Sequence, residues 1–135
     1  MANEAIPYYE EGESIPAIVT AAVVGKTFVK ISAARSSGPG LAATAEGSNY
    51  KVATAASGDP AIGVAKFDQP TINGKVGLLR NGIVPVTAGT ALTAGVRVQS
   101  DGAGKAIVLA SGVALGICVN DAANGADAEI ALQLT

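Results

Sequence analysis

Histidine and tryptophan are absent from this 135-residue chain. Cysteine and methionine occur once each, and three tyrosines and two phenylalanines are the whole aromatic content. The lack of histidine removes the commonest general base, metal ligand and physiological pH switch together. It also rules out a Ser-His-Asp or Cys-His arrangement. Cys118 has no partner for an intrachain disulfide or a zinc site. Within Leu115-Gly116-Ile117-Cys118-Val119 it reads as a small buried hydrophobe. Charge is sparse too: nine basic and eleven acidic residues leave a net −2, with no Lys/Arg stripe, so nucleic acid is not an expected partner. The most apolar stretch, Ile15 to Val24, is about half the length a membrane helix needs, and the acidic start Met1-Ala2-Asn3-Glu4 lacks a signal's basic flank. A soluble protein made in a cytoplasm is expected, with no membrane contact.

Leu, Ile, Val and Phe make up a quarter of the chain, too much for intrinsic disorder. Twenty-seven alanines and 17 glycines accompany them. The core is therefore thin, and burial against other chains is expected to supplement it. Residues 1–16 stand apart. They hold Glu4, Glu10, Glu11 and Glu13, Tyr8 and Tyr9, and Pro7 and Pro16, without helical or strand periodicity. This is read as an extended N-terminal arm, either a frayed terminus or a segment that orders against a partner. Pro7, Tyr8, Tyr9, Glu10, Glu11 and Glu13 are its candidate interface residues, because tyrosine is favoured at interfaces and proline keeps the arm extended.

From residue 17 onward the period is two. Val29 and Ile31 alternate with Phe28 and Lys30, Val96 and Val98 with Arg97 and Gln99, and Ile130, Leu132 and Leu134 with their polar or small neighbours. Such alternation marks half-buried strands. With the runs 17–24, 50–54, 62–67, 75–78, 83–87, 106–110 and 114–119, about ten short strands result. Turn signals such as Asn73-Gly74, Asn81-Gly82, Asp101-Gly102 and Asn124-Gly125 separate them. The loop 36–40 is expected to be exposed. The prediction is an all-β, compact barrel or sandwich in one domain over 17–135. An internal two-fold repeat runs through it, with halves at about 41–82 and 92–135. Ala61-Ile62-Gly63-Val64-Ala65 aligns with Ala114-Leu115-Gly116-Ile117-Cys118, Asp68 with Asp121, Asn73-Gly74 with Asn124-Gly125, and Ala-Ser-Gly at 56–58 with 110–112.

No enzyme is expected. Ser57 and Ser111 lie in Ala-Ser-Gly turns outside any Gly-x-Ser-x-Gly elbow. Asp68 and Asp121, the only paired carboxylates with positional logic, are read as shaping the turns that follow them. Gly25-Lys26-Thr27 lacks the earlier glycine of a phosphate loop. The oxygen-bearing run Asp121–Asp127 lacks the twelfth-position glutamate of a calcium loop. Neither cofactor nor metal is expected.

The ordered segments Gly25-Lys26-Thr27-Phe28-Val29, Ala61-Ile62-Gly63-Val64-Ala65, Gly82-Ile83-Val84-Pro85-Val86, Ala91-Leu92-Thr93-Ala94-Gly95-Val96-Arg97-Val98 and Ala114-Leu115-Gly116-Ile117 resemble those of small head-decoration (cement) proteins of tailed bacteriophages. The resemblance runs from about residue 12 to the C-terminus. It implies a compact β domain on the outer capsid surface of the virion. The partner would be the major capsid protein, the assembly a homotrimer, and the N-terminal arm would reach the shell or a neighbour. The other expectation from the residues is a non-catalytic β binding module of tail-fibre or cell-surface type, recognising carbohydrate or protein through its loops. The shortage of aromatics outside the arm counts against it.

Overall fold

The computed structural model describes residues 15–35 and 49–134, and they form ten strands. The first five are β1 (Ile15–Val19), β2 (Phe28–Ala33), β3 (Tyr50–Thr54), β4 (Gly63–Ala65) and β5 (Lys75–Leu79); β6 (Ile83–Thr87), β7 (Arg97–Ser100), β8 (Ala106–Val108), β9 (Gly116–Cys118) and β10 (Asp127–Leu132) follow. The all-β architecture expected from the period-two pattern is present, and each predicted run contributes a strand. Two boundaries move. Ile15 and Pro16, assigned to the arm, are the first residues of β1, where Ile15 pairs with Leu78 and Pro16 with Gly77. Residues 20–24, assigned to the first strand, have left it for the β1–β2 loop. The arm candidates Pro7, Tyr8, Tyr9, Glu10, Glu11 and Glu13 lie outside the described residues, as does the loop 36–40.

Strands β1 to β5 close into a barrel in the order β1-β3-β2-β4-β5, with β1 parallel to β3 and antiparallel to β5. Strands β6 to β10 form a sheet in the order β6-β10-β9-β7-β8. Adding five to every strand number of the first order gives β6-β8-β7-β9-β10, which is the second order read the other way round the ring. The one pairing it lacks, β6 with β8, is supplied as a single parallel bridge between Ala88 and Ala106. The two halves therefore share one topology, and the unit is longer than the repeat visible in sequence, because it includes β1 and β2 in one half and β6 in the other.

Backbone hydrogen bonds fix the equivalences residue by residue. Lys26 N–H donates to Ala65 O as Gly95 N–H does to Cys118 O, and Ile62 N–H to Val29 O as Leu115 N–H does to Val98 O. Asn73 N–H donates to Val19 O, and its counterpart is the Gly125 N–H that donates to Ala88 O. Asn73 thus matches Gly125 rather than Asn124, one residue from the sequence alignment. Both adopt positive φ, 68° and 84°, which asparagine and glycine tolerate best.

The interior divides into two apolar clusters. One fills the barrel with Ile15, Ala17, Val19, Val23, Val29, Val52, Ala65, Val76 and Leu78. The other joins the second half to the outside of the barrel, where Phe28, Ala55, Ala61 and Val64 pack with Val86, Val98, Leu115 and Ile130. Phe28 and Val29 are adjacent and both fully buried, one in each cluster. A wet face at Phe28, expected from alternation, is therefore wrong: β2 begins between two cores. Ile31 is the reverse, expected inside with Val29 but exposed, because the β2–β3 register slips between Ile31 and Ala33 and carries the strand end outward.

Candidate functional site

Two places on the described surface have the form of binding features, at opposite ends of the barrel. The first is a cavity of about 540 Å3 beside the start of β1 and the end of β2. Ile15, Ile31, Ala33, Ala34, Tyr50 and Ile62 give it an apolar wall, and Arg35 and Arg80 stand at the same wall. The Arg35 guanidinium lies 4.8 Å from the centre of the Tyr50 ring, and Arg80 Nε donates to Ile62 O at 2.9 Å. Next to it, Lys30 Nζ donates to Asp59 Oδ2 at 2.8 Å. That bond and the Ala56 amide hold the Asp59 carboxyl below its ordinary range.

The second is the far end of the barrel, where the β1–β2 loop (20–27) meets the β4–β5 loop (66–74). An antiparallel bridge between Val23 and Gln69, bonded in both directions at 3.0 Å, ties the loops together. Asp68 Oδ1 accepts the Gly25 amide at 2.7 Å. In the second half, Leu92 bridges Ala122 and Asp121 Oδ1 accepts the Ala94 amide at 2.9 Å. The paired aspartates therefore pin the facing loop; they do not shape the Asn-Gly turns as expected. A carboxylate that satisfies a loop amide in this way is structural. Val24, Phe67 and Ile72, on the barrel's two loops, are 62%, 50% and 61% exposed.

The remaining sequence candidates are dispersed. Lys26, in the segment that echoes a phosphate loop, sits at φ 61° and its Nζ contacts Asp127 Oδ2 at 2.7 Å. That ion pair also occupies one carboxylate of the oxygen-bearing run 121–127. Ser57 and Ser111 are exposed. Cys118 is buried, its thiol 2.9 Å from Asn120 O. Among the described residues no group of three His, Cys, Asp or Glu side chains converges, and no helix is long and apolar enough to cross a membrane. Sequence reasoning missed the loop residues Val24, Phe67 and Ile72. The available signal was their position: each lies just outside a strand, next to a turn, where polar residues are the rule.

The described residues define a duplicated five-stranded β unit with a bridged pair of loops at the same end of each half. No family model matches the chain, and no curated protein matches it in sequence. Among solved structures, the N-terminal base of the head fibre protein gp8.5 of bacteriophage phi29 has a similar fold, with a TM-score of 0.70 at 16% identity. The similarity covers 89% of this chain and 92% of that one.

Proposed function

We propose that this chain is a structural protein of a bacteriophage head, a decoration protein that attaches to the outer surface of the assembled shell and stabilises it by bridging capsid subunits. The observation that carries this is the fold shared, over nearly the full length of both chains, with the base of a head fibre. The segment resemblance to head-decoration proteins points the same way from sequence. A non-catalytic role suits a surface whose carboxylates are engaged by loop amides and lysines. A protein that binds only the assembled lattice stabilises it by mass action, and many weak sites repeated over a shell sum to a large effect. A homotrimer fits this reading, because closed three-fold symmetry presents one surface equivalently to three shell subunits.

Electron microscopy of heads assembled with and without this protein tests the proposal. Additional density on the outer surface in its presence, at positions of local three-fold symmetry, is the expected result. Identical shell density in the two preparations would overturn it.

A further inference from the structure

The barrel's loop end differs from its counterpart in the second half by an exchange of polarity. Carried across the backbone equivalences, Val24 corresponds to Thr93, Phe67 to Asn120 and Ile72 to Asn124. All six are exposed. The same loops, pinned by the same bridge and the same aspartate, thus carry three apolar side chains in one half and three polar ones in the other. Folding does not require the apolar set, since the unit forms with Thr and Asn in those places. On the counterpart loops Val119, at the position of Lys66, is the large apolar residue that is exposed; Ile83, Val108 and Val113 are exposed elsewhere on the second half.

Charge divides along the same line. Residues 15–80 carry seven basic side chains and three acidic ones, whereas residues 83–134 carry two basic and four acidic. Lys66 and Lys75 border the apolar loop end, at the end of β4 and the start of β5, with the Lys66 stem lying against Gly77 of β5. The counterpart of Lys75 is Asp127. Exposed apolar residues with a cationic border fit a partner surface that is apolar at its centre and acidic at its edge.

We infer that this loop end, Val24, Phe67 and Ile72 bordered by Lys66 and Lys75, is the surface that meets the head shell. The shell side is an acidic-edged protein surface, and the second half, with its polar loops, faces away from it. The inference rests on the capsid reading above and adds to it an orientation and the chemistry of the partner.

The test transplants one half's loops onto the other. Val24→Thr, Phe67→Asn and Ile72→Asn together install residues the unit already tolerates. A second variant, Lys66→Glu with Lys75→Glu, reverses the border, and Lys105→Glu serves as a charge control in the second half. Each full-length protein is added to purified heads assembled without it, and bound protein is measured by co-sedimentation across a salt series. Thermal unfolding verifies the fold, and sedimentation velocity of the free protein reports its mass. Both loop-end variants are expected to bind at least about tenfold more weakly than the parent, as loss of a desolvated anchor does. The border variant should also lose salt sensitivity, and Lys105→Glu should bind like the parent. Parent-like binding by the folded transplant would overturn the inference while leaving the capsid reading intact. So would a change in its free mass, which would make the surface a contact between copies. Failure of the parent itself to bind heads would overturn both.

Discussion

The two halves of this molecule have one topology and different burdens. The barrel closes on its own apolar interior and then offers a second apolar face, built on Phe28 and Val64, to the other half. The second half closes only through the Ala88–Ala106 bridge, and its core is completed by those barrel residues. Equivalent positions show the division of labour. Phe28 is fully buried, while its counterpart Arg97 is exposed; Val64 is buried, while Ile117 is half-buried. A repeated backbone thus supplies two copies of every face, and side-chain chemistry decides which copy is buried and which is left for water or a partner. Because Phe28 fills the junction, Phe28→Ala is expected to cost about 3–5 kcal/mol by urea denaturation, in the range for truncating a buried aromatic. Arg97→Ala should stay within about 0.5 kcal/mol, as exposed substitutions do. Equal losses at the two sites would mean that the halves are not divided as described.

The halves also touch at equivalent points, where the Ala-Ser-Gly turns at 56–58 and 110–112 meet. Gly58 has φ +74°, and a Cβ built on it would lie 3.0 Å from Gly112 Cα. That nearest atom is backbone and cannot swing away, while the side-chain end Gln99 Nε2 lies at an ordinary 3.8 Å. Gly58→Ala is expected to destabilise by about 1–3 kcal/mol, combining left-handed strain with a backbone contact. Gly102→Ala, in open space and without positive φ, should change stability by less than about 0.5 kcal/mol. A thermal-melt comparison of the two variants checks this. An unshifted Gly58→Ala melt would show that the turns are free to separate.

Much of this was legible in the sequence because strands impose a period of two and turns demand residues that tolerate positive φ. The repeat was visible where both copies kept the same small residues, as at 61–65 and 114–118. It was invisible at β1 and β6, where Ala17-Ile18-Val19 and Val86-Thr87-Ala88 have the same register but little in common as side chains. Phe28 was misplaced because alternation assumes one wet face, and only the other half makes both faces dry. Ile31 was misplaced because a bulge changes the phase of a strand without leaving a mark in composition. The charge difference between the halves could have been read by counting, since the basic excess of residues 15–80 needs no coordinates. The arm residues Pro7, Tyr8, Tyr9, Glu10, Glu11 and Glu13 remain a proposal from composition alone.

The loop-pinning aspartates provide a comparison in which the halves should behave alike. Asp68→Ala and Asp121→Ala each leave one loop amide, Gly25 or Ala94, without its carboxylate. Both should lower stability by about 1–2 kcal/mol, less than a buried charge-assisted bond because water reaches these exposed sites. Urea denaturation of the pair should give values that agree within about 0.5 kcal/mol; a wide gap would mean that the two clamps, despite matching geometry, do different work.

The smallest expected effect separates the halves by pH. The Ala56 amide donates to Asp59 Oδ2 at 3.2 Å, and the equivalent Ala110 amide donates to Gln99 Oε1 at 2.8 Å. One turn is therefore held by a carboxylate and its twin by a neutral amide. Asp59 also accepts from Lys30 Nζ, and this bond first, then the Ala56 amide, lowers its pKa from the usual 3.8. The depressed value means that the unfolded chain takes up its proton at higher pH than the folded one. The stabilising contribution is accordingly complete above the unfolded pKa and is lost as pH falls through the folded pKa, below about pH 4. Gln99 does not titrate, so the second turn has no such dependence. Amide exchange followed by NMR, corrected for intrinsic rates, should show protection at Ala56 holding above about pH 4 and falling below it, while protection at Ala110 holds throughout. Asp59→Asn should abolish the difference in pH response between the two amides. Parallel loss at both positions would mean that global unfolding dominates at low pH, and that Asp59 does not govern its turn separately.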